Sequence, residues 1–142
     1  MDENLRREII LDNYTNPSNK QRVDDKSYIY VNSNNSSCID NIYLWVLIED
    51  DTVKDIKFDG EACAISTAAT SIMTKEIKGK SIEETLKFIE NYTNMIEEEV
   101  YDENILNEAL TFNEIYKQAN RKTCALLPYI GLKKALGKYK QN

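Results

Sequence analysis

The chain has 142 residues, of which 30% are charged, and its net charge is -6. That length fits a single domain, residues 1-142, and is long enough to bury a hydrophobic core. The negative charge argues against nucleic acid and anionic membranes as partners, and no apolar run reaches the roughly 18 residues of a membrane-spanning helix. Because the N-terminal residues lack the apolar core of a signal peptide, we expect a cytoplasmic protein.

The chain offers few of the residue types that usually serve in catalysis or metal binding. The chain contains no histidine and three cysteines, Cys38, Cys63 and Cys124. An odd number of cysteines in a reducing compartment disfavours a disulfide framework. Without histidine, the commonest general base and neutral metal ligand is missing. The ligands of any metal site must therefore come from Cys, Asp, Glu or a partner.

The first half of the chain predicts one helix followed by strands. Apolar residues recur at helical spacing over residues 3–14, and Asn16-Pro17 ends that segment. Short runs rich in β-branched and aromatic residues then predict strands at 28–31, 41–49 and 52–58. The polar residues 32–37 are predicted to be a loop. The short connections favour an antiparallel meander.

The second half of the chain is predicted to be helical. A helix is expected from Cys63 to about residue 78, before Gly79, and Ser81 with Glu84 matches a capping box that starts the next. A short helix near 105–110 and a last helix over about 122–136, ended by Gly137, complete the prediction. Strands followed by helices indicate an α+β fold with a small antiparallel three-stranded sheet packed against several helices.

Cys63 lies where a predicted strand gives way to a helix. Unpaired N–H groups and the helix dipole at such a position favour the thiolate, which is the nucleophilic and metal-binding form of cysteine. The small residues that follow, among them Ala64, Ser66 and Ala68, would let the helix approach another backbone closely. The alternative is a buried structural cysteine, since free cysteines are commonly buried.

All three cysteines are predicted near the ends of elements, where distant segments can converge. Asp40, two residues after Cys38, could add a carboxylate oxygen. Three thiolates and one carboxylate make a tetrahedral zinc set, and the same thiolates would suit an iron–sulfur cluster. The separations of 25 and 61 residues match no short metal-binding clip. Three unrelated cysteines therefore remain the alternative to a shared site.

Several segments together carry a family resemblance. They are ILDNYTNP (10–17), CID (38–40), FDGEACAIS (58–66), GKS (79–81) followed by Glu83-Glu84, and RKTCALLP (121–128). In this combination the chain resembles the U-type iron–sulfur cluster assembly scaffold family (NifU/IscU-like). It is most similar to the zinc-dependent SufU branch, because the segment between Cys63 and Cys124 is long and no histidine precedes Cys124.

The resemblance implies a function and a site. A zinc ion held by Cys38, Asp40, Cys63 and Cys124 would organise the site, and Cys38 would be the catalytic residue that accepts persulfide sulfur. The donor would be a PLP-dependent cysteine desulfurase (SufS-like), and downstream iron–sulfur assembly proteins would take the sulfur onward. Arg121 could stabilise the thiolate or persulfide by its charge, or it could be an ordinary surface arginine.

The resemblance also leaves alternatives. The same cysteines could hold a [2Fe–2S] cluster on an assembly scaffold, or the zinc could stabilise a non-catalytic interaction module, so whether the chain is an enzyme stays open. Three positions depart from the family pattern: Ile39 and Ala62 stand where the family has glycine, and Asn13 where a histidine is frequent. Because glycine adopts backbone angles that Ile and Ala cannot adopt cheaply, the loops around Cys38 and Cys63 are expected to differ.

Overall fold

The computed structural model describes residues 1–35 and 40–141. Within them the fold is α+β, as predicted. The elements, in chain order, are α1 (Glu3–Thr15), β1 (Ile29–Asn34), β2 (Asn41–Glu49), β3 (Thr52–Glu61), α2 (Ala64–Ile77), α3 (Ile82–Ile96), three short 3-10 helices (Glu103–Ile105, Asn107–Phe112, Ile115–Lys117) and α4 (Ala119–Lys140). None of the described helices is long and apolar enough to cross a bilayer.

The three strands form one antiparallel sheet in the order β1-β2-β3, which confirms the meander. Val31 pairs with Leu44, and Leu44 pairs with Phe58, so one face carries apolar side chains across all three strands. Alternation along a strand places such residues on one face. This face forms the sheet side of the hydrophobic core, with Val31, Ile42, Leu44, Val46, Ile56 and Phe58 all buried.

Helix α2 is the central helix, packed against α1, α4 and β3. Ten of its 14 residues are buried, and most of those are small: Ser66, Thr67, Ala68, Ala69, Thr70, Ser71 and Thr74 among them. Small side chains let neighbouring backbones approach closely. Their hydroxyls find acceptors within the helix, as Thr70 does at the Ser66 carbonyl, and on other elements, as Ser71 does at Asn13. The expectation that this small-residue helix lies against other elements is confirmed.

Residues 32–34 were predicted to be loop, and that prediction is wrong. They continue β1, with Asn32 opposite Tyr43 and Asn34 opposite Asn41. Ser33 is buried and its hydroxyl donates to the Leu127 carbonyl on α4, 2.8 Å away. Tertiary pairing therefore overrides the weak strand propensity of Asn and Ser.

The last helix is longer at both ends than predicted. It begins at Ala119, ends at Lys140 and contains Gly137, so Gly137 is not its C-terminal stop. A glycine inside a helix costs about 1 kcal/mol relative to alanine, which the burial of the adjacent Leu136 and of Leu132 outweighs. Pro128 also lies within the helix, at its tenth position.

The connection from α2 to α3 matches its prediction. Ser81 caps α3 by accepting from the Glu84 N–H, and the Glu84 carboxylate accepts from the Ser81 N–H. The acidic residues 97–99 are exposed, as expected of a solvated connection. Beyond them, the short helix predicted near 105–110 takes the form of 3-10 turns.

Candidate metal centre

Three chain segments meet at the end of the sheet where β2 begins and β3 ends. Asn41, the first residue of β2, pairs with Glu61, the last residue of β3, so the residues just outside these strands are neighbours. Asp40 precedes β2, and Cys63 follows β3 and caps α2. Cys124 reaches the same place from the second turn of α4. One ligand atom from each of Asp40, Cys63 and Cys124 lies within 4.8 Å of the others.

The Asp40 carboxylate is held by hydrogen bonds from α2. It is 2% exposed, and its Oδ1 accepts from the backbone N–H of Cys63 at 2.7 Å. Its Oδ2 lies 2.9 Å from the Ser66 hydroxyl and 3.6 Å from Cys63 Sγ. One carboxylate oxygen is therefore bound to the backbone, while the other faces the sulfur.

Cys63 occupies the N-cap of α2, the position that the sequence predicted. Its Sγ accepts from the backbone N–H of Ser66 at 3.4 Å, taking the place of the oxygen that usually caps a helix. The side chain is only half-buried. An anionic sulfur at this position would receive both that N–H and the positive end of the helix dipole.

Cys124 is buried on the inner side of α4, where its thiol lies 3.7 Å from the Asn120 carbonyl. Burial, followed by the proximity of Cys63 and Asp40, raises the pKa of Cys124 to about 12. Three groups that each gain negative charge on ionisation therefore stand close together. A bound divalent cation would instead favour the ionised form of the Cys124 thiol, because it stabilises thiolates directly.

The donor set fits a zinc ion. Two sulfurs and a carboxylate oxygen are ordinary zinc ligands, at about 2.3 Å and 2.0–2.2 Å from the metal. Ligand atoms of one tetrahedral ion are then separated by roughly 3–4 Å. The separation of 3.6 Å between Cys63 Sγ and Asp40 Oδ2 falls in this range. The same sulfurs would also suit an iron–sulfur cluster.

The predicted site residues have different outcomes. Asp40, Cys63 and Cys124 come together, whereas Cys38 and Ile39 lie outside the described residues, so their roles stay predictions. Ala62 is not among the described residues with positive φ, so alanine is accommodated there without backbone strain.

Two further residues that the sequence singled out lie apart from the three ligand atoms. Asn13 is buried between α1 and α2, donating to Glu108 and accepting from Ser71. Arg121 is half-buried on α4, one turn before Cys124.

Ser66 is the residue that sequence reasoning missed. It was noted only for its small size, yet its hydroxyl lies 2.9 Å from both Asp40 Oδ2 and the Cys124 carbonyl. A serine three residues after a helix-capping cysteine is one signal that could have found it. The other is the spacing of Cys124 and Pro128, because proline lacks the N–H that would bond to the carbonyl four residues earlier.

Comparison with known proteins shows which protein family the chain resembles. Residues 5–142 match the family described as the NifU-like N terminal domain. The zinc-dependent sulfurtransferase SufU of Bacillus subtilis is 38% identical over 137 residues, which are 96% of this chain and 92% of that protein. The iron–sulfur cluster assembly scaffold protein IscU of Thermotoga maritima is 36% identical over 131 residues, 92% of each chain.

A solved structure agrees with these sequence matches. The crystal structure of a candidate iron–sulfur cluster assembly scaffold protein of the SUF system, from Fervidobacterium islandicum, has a TM-score of 0.86 and 33% identity. It covers 91% of this chain, and this chain covers 94% of it. The family that the sequence motifs predicted is therefore confirmed: the chain belongs to the NifU-like N terminal domain family, alongside SufU and IscU proteins of iron–sulfur cluster assembly.

Proposed function

We propose that this protein is a zinc-dependent sulfurtransferase that accepts persulfide sulfur from a PLP-dependent cysteine desulfurase and delivers it to iron–sulfur cluster assembly proteins. Zinc would be held by Asp40, Cys63 and Cys124, with Cys38 as the fourth ligand. The observation that carries the proposal is the convergence of two sulfurs and a buried carboxylate within 4.8 Å. The relative from B. subtilis, at 38% identity, is itself a zinc-dependent sulfurtransferase.

Zinc is favoured as the ion because of the kind of donor that the chain offers. Sulfur ligands exclude magnesium and calcium, which take oxygen, and the chain has no histidine to contribute. Zinc has no redox chemistry of its own, and when bound it would keep the cysteines as thiolates. The hydrogen bond from the Cys63 N–H holds the carboxylate of Asp40 in place for such an ion.

Cys38 is proposed as the sulfur acceptor. Its thiolate would attack the terminal sulfur of the desulfurase persulfide, forming a new S–S bond as the donor's S–S bond breaks. The leaving group is the desulfurase cysteine thiolate, so the persulfide passes from one cysteine to the other without any external oxidant or reductant. Thiolate attack on a sulfur–sulfur bond is the ordinary route of such exchange.

Arg121 is proposed to stabilise the charge of the thiolate or persulfide. It lies one turn before Cys124 on α4. Its guanidinium makes no hydrogen bond or ion pair with other residues of the described chain. It can therefore turn toward an incoming anion without breaking a hydrogen bond or ion pair to those residues, and a guanidinium suits a charge-assisted bond to an anionic sulfur.

The experiment is sulfur transfer by the Cys38→Ser variant. With a cysteine desulfurase and free cysteine supplied, wild-type protein should acquire one persulfide, detected by mass spectrometry after alkylation. The variant should acquire none and should leave desulfurase turnover at the rate of the desulfurase alone, since serine is a far weaker nucleophile. Circular dichroism and metal content, measured in parallel, check that the variant is folded. Undiminished transfer would contradict the acceptor role.

A [2Fe–2S] assembly scaffold is the second candidate. The observation that favours it is the 36% identity to the scaffold protein of T. maritima over 92% of both chains. Cys38, Cys63 and Cys124 would then ligate the iron, with Asp40 available as an oxygen ligand. Anaerobic reconstitution with iron and sulfide should give a stable cluster spectrum if this candidate is right. A passive zinc-stabilised module would instead hold zinc as wild-type protein but acquire no persulfide from the desulfurase, with or without Cys38→Ser.

A further inference from the structure

Ser66 is in contact with all three segments that carry the described metal-ligand candidates. Its backbone N–H donates to Cys63 Sγ at 3.4 Å. Its hydroxyl oxygen lies 2.9 Å from Asp40 Oδ2 and 2.9 Å from the Cys124 carbonyl oxygen. The side chain is fully buried, so water does not compete for these contacts.

Pro128 explains why the Cys124 carbonyl is available to Ser66. In a regular helix this carbonyl would accept from the N–H of residue 128, and proline has none. The next carbonyl, that of Ala125, likewise receives a side-chain donor, the Tyr92 hydroxyl at 2.9 Å. Both carbonyls at the proline turn of α4 are therefore satisfied from neighbouring helices, one from α2 and one from α3.

We infer that Ser66 is the positioning residue of the metal centre: its hydroxyl orients the Asp40 carboxylate and ties the Cys124 turn of α4 to α2. This inference rests on the proposed function, because it takes Asp40, Cys63 and Cys124 as ligands. Residues that hydrogen-bond to metal ligands orient them and typically change metal affinity by 10–100-fold when removed. Ser66 itself is not proposed as a ligand.

The two hydroxyl contacts have separable consequences. A serine hydroxyl has one proton, so it donates to Asp40 Oδ2 or to the Cys124 carbonyl at any moment, but not to both. Loss of the bond to Asp40 affects how the carboxylate meets a metal. Loss of the bond to Cys124 leaves a carbonyl in the core without this donor, which affects folding. A second substitution can therefore isolate the first effect.

The experiment compares Ser66→Ala with Ser71→Ala. Both serines are fully buried on α2, but the Ser71 hydroxyl bonds to Asn13 Oδ1, away from the metal-ligand candidates. Zinc affinity is measured by competition with a chelator, and the visible absorption of the cobalt(II) form reports ligand geometry. Ser66→Ala should weaken zinc binding about 10–100-fold and alter the cobalt spectrum. Ser71→Ala should leave the zinc affinity within about threefold of wild type and the spectrum unchanged.

Pro128→Ala supplies the background in which folding is protected. Residue 128 then offers an N–H to the Cys124 carbonyl, so Ser66→Ala should destabilise the metal-free protein less in this background. The loss of zinc affinity, which depends on Asp40, should persist at about 10–100-fold between Pro128→Ala and the double variant. This comparison shows whether the Ser66 hydroxyl affects zinc affinity even if Ser66→Ala alone does not fold.

The possible failures are distinguishable. Equal zinc affinities and cobalt spectra with and without the Ser66 hydroxyl would overturn the positioning role while leaving the metal centre intact. If wild-type protein binds neither zinc nor cobalt with thiolate absorption, the proposed function itself fails. A drop in thermal stability with unchanged affinity would mean that Ser66 is only a structural residue.

Discussion

At the residue scale, the two oxygens of Asp40 have different surroundings. Oδ1 is bound to the backbone at Cys63, and Oδ2 faces the thiol and the Ser66 hydroxyl. A buried carboxylate is costly unless such donors compensate it. This arrangement keeps the carboxylate in one orientation before any ion arrives. Preorganisation of this kind lowers the conformational cost of binding.

Asp40→Asn tests whether the carboxylate is a ligand. Asparagine keeps the shape and can still accept from the Cys63 N–H, but it carries no charge and is a poor zinc ligand. We expect zinc affinity to fall by more than about 100-fold, beyond the effect of a supporting residue. Asp59→Asn is the matched control, since Asp59 on β3 pairs with the exposed Arg22. Equal affinities for the two variants in chelator competition would exclude Asp40 from the ligand set.

Tyr28 and Asp55 provide a pH-dependent contact away from the metal centre. The Tyr28 hydroxyl donates to Asp55 Oδ2 at 2.5 Å, and this bond raises the pKa of Tyr28 to about 12 from its usual 10.0. Burial pushes the pKa of Asp55 upward, but the hydrogen bond from Tyr28 and the ion pair with Lys78 outweigh it and keep that pKa below 3.8. The contact therefore stabilises the fold at neutral pH.

Tyr28→Phe should lower the free energy of unfolding by about 1 kcal/mol at neutral pH. Because the pKa of Tyr28 is higher when folded, the difference from wild type should be constant between pH 3.8 and pH 10 and disappear as pH rises to about 12. Because the pKa of Asp55 is lower when folded, the difference should also shrink as pH falls below 3.8. Denaturant unfolding across this range measures it. Tyr14→Phe, at an exposed residue, should change stability by less than about 0.5 kcal/mol; a Tyr28→Phe difference independent of pH would contradict the account.

At the element scale, Gly60 is a point of close approach between β3 and β2. Its φ is +131°, and a Cβ there would lie 2.0 Å from the Asn41 carbonyl oxygen. That is backbone, which cannot move aside as a side chain can. Asn41 follows Asp40, so the pairing that Gly60 permits also positions the carboxylate. The close pairing of β2 and β3 beside the candidate site therefore requires a glycine at position 60.

Gly60→Ala and Gly137→Ala should have opposite effects. The first should destabilise the protein by about 3 kcal/mol, from backbone strain and overpacking, and should weaken zinc binding as Asp40 shifts. The second has nothing within 4 Å of the added Cβ and lies inside α4, so it should stabilise by about 0.5–1 kcal/mol. Denaturant unfolding of both variants checks this. A neutral Gly60→Ala would mean that the strands are not paired as described.

The order and type of the long elements could be predicted from local patterns, because α2, α3 and the three strands each carry their own periodicity or caps. The wrong predictions concern residues whose secondary structure depends on contacts with distant parts of the chain. The polar residues Asn32 and Asn34 join β1 because β2 pairs with them, and Ser33 finds the Leu127 carbonyl. Gly137 is typical of a residue that ends a helix, but α4 and its packing continue past it to Lys140.

At the scale of the whole molecule, the three described ligand candidates meet only because the fold joins three remote segments. Cys63 and Cys124 are 61 residues apart, and no spacing rule connects them. The positions of the cysteines at element ends only suggested a shared site of Cys38, Asp40, Cys63 and Cys124. The family motifs favoured it over unrelated cysteines, since motif combinations carry tertiary information that spacing does not. Ser66 was missed because its role depends on a carbonyl of α4 that no local pattern reveals.

The zinc content of protein purified without oxygen tests the central claim most directly. Metal and acid-labile sulfide are measured per chain on the same sample. The account predicts about one zinc per chain and no labile sulfide, as four ligands around a single ion require. Iron with an equal amount of sulfide would contradict it and favour the cluster scaffold. A chain that holds neither metal nor sulfide would contradict the metal centre altogether.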